Sequence, residues 1–166
     1  MNAVSSYPKI LQLLAWLGLL LVPALGSAQT LEVSLHQDPA GISMSGSGTG
    51  AATMSFGTIS RFGLPPSGVT ITTSPSAWTV STYFGVRATL TSGTSSSYRL
   101  QGQLQSADAD RTWAINGQTL SSGVPVDVML NGAYDSELRQ TLTIMIPDSS
   151  PPGSLGNVIE LTVIPN

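Results

Sequence analysis

From Leu31 onward the apolar side chains of this chain recur at every second residue. Leu31, Val33 and Leu35 alternate with polar neighbours, and so do Phe84, Val86, Ala88 and Leu90. The same rhythm runs through Tyr98, Leu100, Gly102 and Leu104, and through Val124, Val126, Val128 and Leu130. It returns at Leu142, Ile144 and Ile146, and again at Ile159, Leu161 and Val163. A period of two places one set of side chains on one face of a strand and the other set on the opposite face. After Ala28 no eleven-residue window carries a helical stripe. The pattern predicts an all-β protein, an antiparallel Ig-like β-sandwich of about 7–9 strands, with the apolar faces of two sheets turned toward each other.

The punctuation between these runs agrees. Asn116-Gly117 separates Trp113–Ile115 from Gln118–Leu120, and that dipeptide suits a two-residue hairpin turn whose central residues both need positive φ. Asn131-Gly132 follows Leu130 and reads the same way. Pro65-Pro66-Ser67-Gly68 and Pro151-Pro152-Gly153 mark loops, and Ser92–Ser97 is a polar connection. Trp78 and Trp113 are expected in or near the core. One region stands apart. The strand-like Gln29–His36 is followed by Asp38-Pro39-Ala40-Gly41 and Ser45-Gly46-Ser47-Gly48-Thr49-Gly50, which has the composition of a flexible linker. The expected division is therefore 1–28 a signal peptide, 29–50 an N-terminal strand with a Gly/Ser linker, and 51–166 the sandwich.

The first segment has the order of an export signal. Lys9 and the free amine form a short positive region, Leu13–Leu25 is an apolar or small run, and Pro23 precedes the small-residue site Gly26-Ser27-Ala28. Ile10–Leu25 would make about 24 Å of helix, short for a hydrocarbon core of ~30 Å, and no basic stop-transfer cluster follows. Cleavage after Ala28 removes the only lysine and leaves five Arg against nine acids, a net charge of −4. Only 9% of the residues are charged. Such a balance argues against nucleic acid as a partner, because phosphate binding needs cations that displace counterions. The expected location is periplasmic, cell-surface or extracellular, with no stable membrane anchor once the leader is gone.

Chemistry finds few residues to use. There is one His, His36, and no Cys. A Ser-His-Asp hydrolase needs a base beside its nucleophile, and His36 lies at the end of the N-terminal strand with no Gly-x-Ser-x-Gly elbow in the chain. Zinc needs three or four N or S donors, more than one His supplies. Asp108 and Asp110 offer two carboxylates, against the six to eight oxygens that calcium takes. The local pairs Asp108/Asp110 and Asp135/Glu137 are candidates for glycosidase-type acids, and both read as loop charge. Thr70/Thr72, Thr89/Thr91 and Thr141/Thr143 suit the outer face of strands. Tyr83, Tyr98 and Tyr134, if exposed, would offer sugar-stacking faces. No catalytic residue, metal ligand or cofactor is expected.

Three segments resemble the secreted β-sandwich subunits of the chaperone–usher pilin and spore-coat-protein-U type. They are the alternating Leu31-Glu32-Val33-Ser34-Leu35, the entry Ala52-Thr53-Met54-Ser55-Phe56-Gly57, and the ending Leu142–Pro147 followed by a Pro/Gly turn and Val158–Ile164. The chain lacks the disulfide many such subunits carry, and it ends in Pro165-Asn166 where an aromatic is common. The resemblance implies donor-strand assembly, in which an N-terminal strand fills a groove on another subunit. Leu31, Val33 and Leu35 would then be the inward side chains, and the partners would be other copies or pilus and coat components, with a periplasmic chaperone. The residues themselves leave two readings of 30–36 open, a donated strand or the first strand of the chain's own sandwich. The expected function is an exported, non-enzymatic structural or adhesive subunit. The alternatives are a secreted carbohydrate-binding module, which would show a row of exposed aromatics, and a secreted hydrolase using loop carboxylates.

Overall fold

The computed structural model describes residues 30–37, 43–45 and 51–166, with side chains over 54–90 and 93–166. The expected signal peptide lies outside the described residues. Eleven strands follow in chain order: β1 (Thr30–Gln37), β2 (Ser43–Ser45), β3 (Ala51–Gly57), β4 (Thr70–Thr73), β5 (Ala77–Ser92), β6 (Tyr98–Leu104), β7 (Thr112–Ile115), β8 (Gln118–Thr119), β9 (Val126–Gly132), β10 (Glu137–Pro147) and β11 (Leu155–Pro165). Nine of them have four residues or more, and no described residue is helical. The β2 strand falls inside the segment read from composition as a linker, and it pairs antiparallel with β3.

The strands form two antiparallel sheets. One has the order β1-β5-β10-β7-β8, with β4 also on β5; the other has the order β2-β3-β11-β6-β9. The alternation of the sequence reappears as alternation of burial. In β6 the pattern is strictly buried then half-buried, because Tyr98, Leu100, Gly102 and Leu104 face the first sheet. Val80, Phe84, Val86 and Ala88 of β5 and Leu142, Ile144 and Ile146 of β10 supply the facing layer. Trp113 of β7 is fully buried and meets Phe56 at 6.4 Å between ring centroids. Trp78 is only half-buried, at the end of β5. Several outward positions of the first sheet are small and polar: Thr70 lies opposite Ser81 and Ser81 opposite Thr143, while Thr72 lies opposite Thr79. These threonines fill the solvent face, as β-branched residues on a pleat do.

Local turn chemistry held in one place and failed in another. Asn116 (φ 51°) and Gly117 (φ 81°) make the two-residue turn between β7 and β8, with Ile115 opposite Gln118. Asn131-Gly132 does not turn; both lie within β9. The β9–β10 connection passes from one sheet to the other, so a tight hairpin cannot join them, and Asp135 takes the positive φ (61°) instead. Gly132 has a different reason to be glycine. A Cβ there would collide with the ring of Tyr98.

The two ends of the sandwich differ. Thr30 lies opposite Ser92 and Pro165 opposite Tyr98, so the start of β1 and the C-terminus share one pole. The opposite pole carries the loops 58–69, 74–76, 105–111 and 148–154, which leave the other ends of the same strands. Among the described residues no helix is long and apolar enough to cross a membrane.

Candidate functional site

The N-terminal strand sits on the outer edge of the first sheet. β1 pairs antiparallel with the C-terminal half of β5, with Leu31 opposite Leu90, Val33 opposite Ala88 and Leu35 opposite Val86. Ala88 and Val86 are fully buried. Directly opposed residues of an antiparallel pair share a face, so the register puts positions 31, 33 and 35 on the core side of the sheet. Among the described residues β1 has no partner strand other than β5. The structure thus places β1 within its own chain, beside β5. The last strand offers no comparable opening. β11 is paired on both edges, by β3 and by β6.

The same edge of β5 is shared. β4 covers Trp78–Ser81, β1 covers Phe84–Ser92, and Thr82 and Tyr83 lie between them. Thr82 is buried, and its hydroxyl donates to the Gly68 carbonyl at 3.1 Å. Tyr83 faces outward under the Arg139 guanidinium, 3.1 Å from the ring centroid.

The residues singled out for chemistry are dispersed. His36 lies in β1 opposite Gly85. Asp108 and Asp110 belong to the loop before β7; at the other pole Asp135 belongs to the connection between β9 and β10, and Glu137 opens β10 opposite Arg87. Asp108 has a structural job: its Oδ2 accepts the Trp113 indole N–H at 2.8 Å, and its Oδ1 accepts the Asp110 amide at 3.3 Å. Glu137 lies over Gly85, where a Cβ would strike its carboxylate. The two acid pairs do not converge, and among the described residues no group of three or more His, Asp or Glu is placed to share a metal ion.

The aromatics form no exposed row among the described residues. Tyr98 is fully buried and its ring meets Tyr134 at 5.2 Å between centroids. Neither hydroxyl has a hydrogen-bond partner among the described residues. Burial, and secondarily the neighbouring Tyr134, push the Tyr98 phenol above its ordinary value of 10.0.

One polar cluster was not visible in the sequence. Gln140, 1% exposed, points into the core. Its Nε2 donates to the Leu138 carbonyl at 3.0 Å, and its Oε1 accepts from Asn116 Nδ2 at 2.7 Å. Asn116 Nδ2 also donates to the Val128 carbonyl at 3.0 Å, while its Oδ1 accepts the Thr141 amide at 2.9 Å. The turn asparagine therefore ties the two sheets together, a role that its positive φ alone did not disclose. No family model matches the chain, and no significant match to it exists among curated proteins or solved structures.

Proposed function

We propose that this chain is an exported, non-enzymatic building or adhesive subunit whose N-terminal strand is exchangeable between copies. The observation that carries the reading is the edge position of β1: eight residues paired, among the described residues, to β5 alone, with Leu31, Val33 and Leu35 opposite core-face positions. An aliphatic side chain of this kind stabilises by roughly 1.5–3 kcal/mol when it is buried, and backbone pairing adds direction. The segment 38–50, which spans β2, connects β1 to β3. That length allows β1 to cover β5 of its own chain or β5 of a neighbour. The acceptor is the β5 edge over Phe84–Ser92, not a groove beside the final strand. The leader-like residues 1–28 support export, and the partners are other copies or co-assembling subunits, with a chaperone that guards the edge before assembly.

Deletion of residues 29–40 tests this. The truncated chain is expected to lose polymers or higher oligomers in native mass measurements, and to bind an added Thr30–Gln37 peptide. Unchanged assembly on cells and in solution would sink the reading.

A further inference from the structure

The pole opposite the start of β1 and the C-terminus holds a cleft of about 510 Å³. Its apolar lining comes from both sheets, through Trp78, Ile146 and Leu155, and from Ile59 of the 58–69 loop. Pro151 and Pro152 line its side. This size and lining match those of small-molecule sites, which are mostly apolar with a few fixed polar groups. Three charged residues line it, Arg61, Arg111 and Asp148, so two guanidiniums stand against one carboxylate. The chain as a whole is acidic on balance, with a net charge of −3. Two of its five arginines meet in this one recess.

The loops around the cleft are tied to one another. Arg61 Nη1 donates to Asp148 Oδ1 at 2.6 Å, and its Nη2 donates to the Ser74 carbonyl at 2.5 Å. Ser150 Oγ donates to the Asp110 carbonyl at 2.7 Å, and the Asp148 amide donates to the Ser76 carbonyl at 3.0 Å. Four loops are thereby held in register without a disulfide. A recess already formed loses less conformational freedom on binding.

The two arginines are unequally used. Arg61 is committed to Asp148 and Ser74, though its buried Nε has no acceptor among the described residues. Arg111 is held more loosely. Its Nη1 lies 3.4 Å from the Ser154 carbonyl and 3.8 Å from Asp108 Oδ2, both long, and Asp108 Oδ2 already accepts from Trp113. A guanidinium carries five N–H donors in a planar fork, and that fork matches a carboxylate in a bidentate manner. It sits in a recess whose wall includes an indole.

We propose that the cleft binds a small ring-bearing carboxylate, with the anion on Arg111 and the ring against Trp78 and the proline wall. The site is independent of strand exchange. Two sources share this chemistry, an aromatic acid and a uronic-acid sugar, and both belong in the test. The protein, purified after expression of the complete chain, is titrated with phenylacetate and with galacturonate while indole N–H signals are followed by NMR. Benzyl alcohol and galactose serve as neutral counterparts. The expected result is a saturable shift of the Trp78 signal with at least one acid, a neutral counterpart at least tenfold weaker, and a tenfold or greater loss in Arg111→Gln. The buried Trp113 signal reports that the variant is folded. Arg111→Lys, which keeps the charge and loses the fork, is expected to fall between the two. Which acid binds identifies the source. No shift with either acid, equal binding of a neutral counterpart, or undiminished binding by a folded Arg111→Gln overturns the proposal.

Discussion

The two halves of β5 share one edge but are covered by unlike partners. Over Trp78–Ser81 the cover is β4, joined to β5 through Ser74–Ser76 alone. Over Phe84–Ser92 the cover is β1, which precedes β5 by about forty residues along the chain. Loop-closure entropy grows as ~(3/2)RT ln n, so the distant cover costs about 2 kcal/mol more to close than the local one. The local cover is also confined to its own chain, since three residues cannot reach another molecule. The strand exchange proposed above therefore rests on tether length, not on strand quality. The two halves otherwise look alike: Val80 under the first and Val86 under the second are both fully buried.

The sharpest way to break this comparison is at the junction. Phe84, 2% exposed, lies at the point where β4 coverage ends and β1 begins, opposite Gln37 and Gln140. Phe84→Ala is expected to cost about 3–5 kcal/mol in urea unfolding, because the site cannot collapse on the void. A loss below 1 kcal/mol would mean that the halves do not share one core. Next come the matched variants Val80→Ala and Val86→Ala. Each is expected to cost about 2 kcal/mol of stability, but Val86→Ala alone should weaken retention of the Thr30–Gln37 peptide by the truncated chain. Equal weakening by both would contradict a divided edge.

Smaller effects sharpen the picture. Arg139 caps Tyr83 in the gap between the two covers. Arg139→Gln should lower stability by about 0.5–1 kcal/mol, the range for an exposed cation–π pair. The smallest change at neutral pH is expected far from β5, at Tyr98. Tyr98→Phe removes a buried hydroxyl with no partner among the described residues and should be neutral or slightly stabilising. Its pH signature is larger. With the folded phenol raised above 10.0, the unfolded chain releases that proton first. Stability is therefore fully present below pH 10 and falls as pH rises from there toward the folded value. Thermal melts across that range should show a shallower alkaline decline in Tyr98→Phe than in the parent chain.

Much of the fold was legible because its signal is local. The alternation in 98–104 and 142–146 names both the strand and its buried face, and Asn116-Gly117 names its turn. Asn131-Gly132 misled because the same dipeptide answers a packing demand, the ring of Tyr98 on Gly132, rather than a turn. The short β2 pairing within 38–50 was hidden by Gly/Ser composition, which reports chain freedom and not the presence of a partner strand.

The candidate sites were less legible than the strands. Positions 31, 33 and 35 were visible as an apolar face, but their acceptor was not: the sequence pattern left open whether the strand stays home, and only the pairing with β5 supplied one. Arg61 and Arg111 are fifty residues apart and belong to no motif.

What the sequence by itself determined is the two-residue rhythm, the β class, the inward set of side chains and one tight turn. Each depends on neighbours within a few residues, through the pleat and through backbone sterics. Only the tertiary structure decided that β11 runs between β3 and β6, that β1 and β4 divide one edge, and that two distant arginines line a common cleft. Those outcomes depend on which edges pair and which loops meet, and no local period encodes either.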